Sequence, residues 1–143
     1  PMAQIFEGLD SRPAFTLTRR GEGTVMRRDE EVSKLIYESL ASNRGARKMD
    51  PFILTVPPDD DRPLLSHGGE EFLIVLDGTV ELQYGTESYV LEAGDSAYFE
   101  GATPHRLVCT RDTPSRVLTV YQGMADENGV RLDDIELTEG QGA

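Results

Sequence analysis

From Pro51 to Gln122 the chain is a succession of short apolar runs: PFILTV, FLIVLDG, TVELQYG, SYVLEAGDSAYFEG, HRLVCTR and SRVLTVYQ. Each is rich in β-branched, aromatic or leucine residues and stops at glycine, proline, aspartate or a charged cluster, as strands bounded by turns do. No helical pattern separates them, as a parallel βαβ sheet would require. Short strands at close, regular spacing predict an all-β sandwich or barrel. Asp77-Gly78 is a strong hairpin cue between FLIVL and TVELQY. A second turn is predicted at Ala93-Gly94-Asp95. In TVELQY the alternation puts Val80, Leu82 and Tyr84 on one face. SRVLTVYQ carries Val117, Leu118 and Val120.

The flanks are less regular. Residues 1–13 hold a short amphipathic piece, AQIFEGL, and a breaker, DSRP. They are expected to be a linker or the end of a preceding domain. Pro1 before Met2 fits either a cloning scar or the cut edge of a longer protein. AFTLTRR and GTVMRR, separated by GEG, suggest a hairpin or loose pair of strands. In DEEVSKLIYESLAS, Val32, Leu35, Ile36 and Leu40 have helical spacing, although Tyr37 and its context also permit a strand. SNRGARKMD is expected to be a polar loop with Arg47 and Lys48 on the surface. VPPDDDRPLL is expected to be an exposed acidic loop, with Asp59, Asp60 and Asp61 solvated, because it lacks the glycine and distal glutamate of a calcium loop. VRLDDIEL is a candidate last strand. The main domain is expected over 14–138 and a disordered tail over 139–143.

Composition sets limits. With 143 residues and 38% hydrophobic content, one globular domain with a real core is expected. The net charge of −12 repels phosphate backbones, which argues against direct nucleic-acid binding by this segment. A single cysteine, Cys109, rules out an intrachain disulfide and fits a reducing interior such as the cytoplasm. No apolar run approaches the length of a membrane span, and no secretory leader pattern is visible.

The chain has only two histidines, His67 and His105. If residues 66–76 are extended, His67, Gly69 and Glu71 share one face, and Gly69 leaves room between imidazole and carboxylate. Phe72, Ile74 and Leu76 would then point the other way and pack between sheets. If the strand after the second turn runs through Thr103, His105, Leu107 and Cys109, these also face together. Two imidazoles and a carboxylate suit Fe(II), Mn, Ni, Cu or Zn, and three ligands leave positions open for a bidentate substrate and dioxygen. The same residues can instead form a hydrogen-bonded polar cluster without an ion. Leu65, Leu73, Leu107 and Cys109 are candidate pocket residues beside them, implying a rather apolar pocket. Glu70 faces away, and Tyr37, Tyr84 and Tyr98 read as packing residues.

HGGEEFLIVLDG together with GDSAYFEGATPH resembles the two signature motifs of the cupin superfamily. Glu71, six residues and Gly78 match the first motif, with His67 on its second histidine and Leu65 where its first histidine stands. Gly94 and His105 match the second motif, with Glu100, Ala102 and Cys109 replacing its usual proline, glycine and asparagine. The resemblance implies a jelly-roll barrel of two antiparallel sheets. YESLASNRGARKMDPFILTV with SHGGEEFLIVLDG further resembles the C-terminal cupin of XRE-type helix-turn-helix regulators. That implies a homodimeric sensor domain that takes a small-molecule effector and touches DNA only through a separate helical domain. The histidine, the glutamate four residues on and the later histidine are also similar to those of the hydroxypropylphosphonate epoxidases, which lack the first histidine too. That likeness implies an Fe(II) oxygenase as the alternative. On either reading the metal ligands are His67, Glu71 and His105, and the cofactor is a divalent transition metal (Fe, Mn, Ni or Zn).

Overall fold

The computed structural model describes residues 14–27, 33–45, 47–123 and 138–139. The described residues form ten strands and no helix: β1 (Thr24–Arg27), β2 (Ile36–Ser39), β3 (Met49–Val56), β4 (Glu70–Asp77), β5 (Thr79–Tyr84), β6 (Glu87–Glu92), β7 (Ser96–Glu100), β8 (His105–Cys109), β9 (Ser115–Gln122) and β10 (Thr138–Glu139). They pair antiparallel in two sheets, ordered β10-β1-β2-β3-β9-β4-β7 and β6-β5-β8. This is the expected all-β jelly roll.

One core lies between the sheets. The large sheet contributes Tyr37, Phe52, Leu54, Val56, Leu73, Val75, Val117 and Tyr121, and the small sheet contributes Val80, Leu82 and Leu107. In each strand these residues alternate with outward ones, because successive side chains point to opposite faces. Phe52 is at the centre, with its ring 5.8 Å edge-on from both Tyr37 and Tyr121.

Several expectations need correction. AFTLTRR forms no strand; only Thr24–Arg27 of that region does. Residues 36–39 form a strand rather than a helix, because Leu35, Tyr37 and Ser39 are buried in turn. That is period two, and pairing with β1 and β3 settles the choice. Asp77-Gly78 is a corner rather than a hairpin, since β4 belongs to the large sheet and β5 to the small one. Both long edges of β4 are already paired, with β7 and β9, so the chain must change sheet to keep Val75 and Val80 in one core. The turn at 93–95 likewise joins β6 and β7 across sheets. Phe72 and Leu76 are exposed on the outer surface, and Leu73 and Val75 fill the interior instead. Leu118 and Val120 also lie on the less buried face of β9, where Val117, Thr119 and Tyr121 point inward.

The acidic loop is not simply solvated. Asp60 and Arg62 form an ion pair whose side chains are about as buried as the core, at 5% and 6% exposure. Arg47 pairs with buried Asp50 at 2.6 Å rather than standing free on the surface. The expectations for residues 1–13 and for VRLDDIEL lie outside the described residues, as does most of the expected tail.

Phe52→Ala should cost about 3–5 kcal/mol, because it removes a ring with 1% exposure from a closed core. Chemical denaturation should show this as a lowered midpoint with a similar slope.

Candidate metal centre

The site is built where the chain entering β4 meets the chain entering β8. Leu65 and His105 exchange backbone hydrogen bonds, 3.1 Å and 2.9 Å, as an antiparallel bridge. The His67 amide donates to the Gly101 carbonyl and the Gly101 amide to the Gly69 carbonyl, both at 2.9 Å. These bonds set His67 beside His105 although 38 positions separate them. The extended face expected over 66–76 begins only at Glu70. Gly69 has φ +72, and a Cβ there would strike the Gln122 and Gly123 backbone. Its glycine serves a close crossing of β9 rather than an opening beside the ligands.

Gly101 has a different task. A Cβ on it would overlap the His67 ring, so the absent side chain is the space the imidazole fills. The ring is also packed edge-on against His105 and Tyr121, with centroids at 5.0 Å and 5.2 Å.

Glu71 is buried at the start of β4. His67 Nε2 is 3.1 Å and His105 Nε2 3.3 Å from the same carboxylate oxygen, Oε1. The other oxygen, Oε2, accepts a 2.6 Å hydrogen bond from the hydroxyl of fully buried Thr119. Each imidazole is fixed from behind: His67 Nδ1 donates to the Gly68 carbonyl at 2.8 Å and His105 Nδ1 to the Thr103 carbonyl at 2.7 Å. A carbonyl only accepts, so each Nδ1 carries a hydrogen; the inward Nε2 then presents a lone pair to a metal when the ring is neutral, or a hydrogen to Glu71 when it is protonated.

Two imidazole Nε2 atoms and a carboxylate oxygen thus face one point, with one ligand atom from each residue inside a 4.8 Å span. Such a set is held together only by a shared proton or a cation. The donor types, their common focus and the hydrogen bonds behind each ligand fit a divalent transition metal.

The proton alternative leaves its mark on both groups. Burial lowers the His67 pKa, but its hydrogen bonds to Glu71 and Gly68 and the charge of Glu71 outweigh that, leaving it raised. Burial raises that of Glu71, but hydrogen bonds from His105, His67 and Thr119 outweigh it, leaving it lowered. Burial, and next the charge of Glu71, hold Tyr121 well above the ordinary phenol range.

The triad forms part of the wall of a cavity of about 80 Å³. Of the candidate pocket residues, Leu65 and Leu107 line it. Leu73 does not: it is fully buried in the core. Nor does Cys109, whose thiol lies near the Thr113 carbonyl and Ser115 hydroxyl at the other end of β8. Arg62, Arg106 and Tyr121 line the cavity, although the sequence reading did not single them out. Thr119 and Tyr121 could have been found, since a threonine on the inward face of an otherwise apolar strand asks for a polar partner. Arg62 had no such signal in its loop.

Residues 52–121 match the family model of the cupin domain. That match spans 70 of the 143 residues, from β3 to β9, and the jelly-roll sheets agree with it. The (S)-2-hydroxypropylphosphonic acid epoxidase of Streptomyces wedmorensis is 30% identical over 96 residues, 62% of this chain and 48% of that protein. The chain therefore spans about half the length of this curated relative. The solved structure of Fe(II) HppE aligns with a TM-score of 0.65 at 22% identity, over 76% of this chain and 60% of that one. The structure of hydroxypropylphosphonic acid epoxidase with fosfomycin gives 0.61 at 21% identity, over 75% and 59%. At these identities the structural likeness speaks for the fold.

Two outcomes follow. Thr119→Val should keep the fold but free the carboxylate, weakening metal uptake by about 10–100-fold in a chelator competition. In the metal-free protein, the raised His67 pKa makes its pairing with Glu71 stabilising below 6.5 and lost as pH rises through the raised value. The lowered Glu71 pKa makes its share present above 4.5 and lost as pH falls through the lowered value. The difference in melting temperature between metal-free wild type and Glu71→Gln should therefore be greatest between pH 4.5 and 6.5.

Proposed function

We propose that this cupin domain holds one divalent transition metal on His67, Glu71 and His105 and senses a small-molecule effector beside it, as part of a transcriptional regulator. The observation that carries the metal is the convergence of three acceptor atoms, each braced from behind. When bound, the ion would supply open coordination positions for a chelating ligand. The sensing role is supported by the resemblance to regulator cupins, which extends beyond the metal motifs into residues 37–56. DNA would be contacted only through a helix-turn-helix domain outside this chain, in keeping with the net charge of −12. The proposed working form is a cytoplasmic homodimer. Effector binding would shift the placement of the attached domains, given different affinity for two arrangements.

A second reading is a mononuclear non-haem Fe(II) oxygenase or epoxidase on the same three residues. The similarity to the Streptomyces epoxidase favours it.

Elemental analysis of protein purified without chelator, beside His67→Ala and Glu71→Ala, tests the shared premise. About one equivalent of metal should be present in the wild type and lost in both variants. Oxygen-electrode assays of the Fe(II)-loaded protein with hydroxy acids and phosphonates then separate the readings. The sensor shows no substrate-dependent uptake, and sustained uptake would establish the oxygenase.

A further inference from the structure

Arg62 belongs to the acidic, proline-rich loop, yet it is only 6% exposed. Its Nη1 donates to Asp60 and its Nη2 to the Leu107 carbonyl at 2.6 Å. Asp60 is itself held by the Ser33 hydroxyl and the Lys34 amide. Arg106, next to His105, donates from Nη1 to the Arg62 carbonyl and from Nε to Gln83, both at 2.6 Å. Loop and strand thus brace each other through two guanidinium groups. Both arginines line the cavity that holds the triad.

A guanidinium has five N–H donors. Among the described residues, two are taken on Arg62 and two on Arg106. Each side chain keeps donors for something else. The charges point the same way. Asp60 balances Arg62, whereas the partners of Arg106 are neutral. A divalent ion on Glu71 beside Arg106 would leave the cavity with about two positive charges in excess, in a chain of net charge −12. A small anion would cancel that surplus. The other lining groups include Leu35, Leu54 and Leu65, which favour no charge. The cavity of about 80 Å³ admits only a few heavy atoms beyond the ion.

We infer that Arg62 and Arg106 form an anion subsite, and that the ligand of this barrel is a small oxyacid. Its carboxylate or phosphonate head binds the arginines, and a second oxygen faces the metal ligands. The metal-facing half of this inference rests on the function proposed above; the arginine half does not.

The test is calorimetry on Zn(II)-loaded protein with three probes: glycolate, hydroxymethylphosphonate and the uncharged analogue ethylene glycol. One or both anions should bind, and ethylene glycol should not. The preferred anion identifies the head group. Arg62→Gln and Arg106→Gln should each weaken that anion by about tenfold or more while holding zinc at wild-type stoichiometry. Arg106→Gln decides the matter if Arg62→Gln does not fold. Anion affinity within about twofold of wild type in the folded variants would overturn the subsite, as would equal binding of ethylene glycol. If the protein takes up no zinc, the metal reading fails, and the same probes are followed by amide chemical shifts in the metal-free protein. Shifts around Arg62 and Arg106 that vanish in the Arg106→Gln variant would uphold the anion subsite, and their absence in wild type would overturn it.

Discussion

The antiparallel bridge between Leu65 and His105, continued by the hydrogen bonds linking His67, Gly69 and Gly101, joins the approach to the large sheet to the start of a small-sheet strand. Without it the two histidines would belong to unrelated segments. With it, one imidazole from each segment meets the carboxylate at the first buried position of β4. The side chain that Gly101 lacks then decides whether the first ring has room to point inward.

Around that junction, backbone and buried groups do the orienting. Carbonyls of Gly68 and Thr103 fix the two ring hydrogens, and Thr119 fixes the rear oxygen of Glu71. The site therefore has little rotational freedom to lose when an ion enters, and preorganisation of this kind distinguishes a ligand set from a surface cluster of the same residues. Tyr121 couples the site to the core, packing against His67 on one side and Phe52 on the other.

Much of this was legible in the sequence. Period-two alternation located most strands from PFILTV onward, and the motif spacing named His67, Glu71 and His105 before their geometry was known. What misled was local. Asp77-Gly78 has the chemistry of a hairpin turn, but the partner of a strand is chosen by burial of both faces, so β4 pairs with β7 and β9 and the chain turns a corner. Leu35 and Ile36 fit a helix until β1 and β3 supply ladder partners. Arg62 was invisible because a loop composition of aspartate and proline predicts exposure, whereas tertiary contacts with Leu107 and Arg106 hold it against the barrel. Strand alternation puts Leu73 on the face of Glu71 and Cys109 on the face of His105, but a shared face does not fix depth: Leu73 lies in the core and Cys109 at the far end of β8.

X-ray absorption at the metal edge of the cobalt-substituted protein tests the central claim most directly. The account predicts a shell of nitrogen and oxygen scatterers at about 2.0–2.2 Å, with the outer-shell signature of two imidazoles, falling to one in His67→Ala. A shell with sulfur, or one without imidazole scattering, would show that the ion is held elsewhere and that His67, Glu71 and His105 are a polar cluster of the barrel mouth.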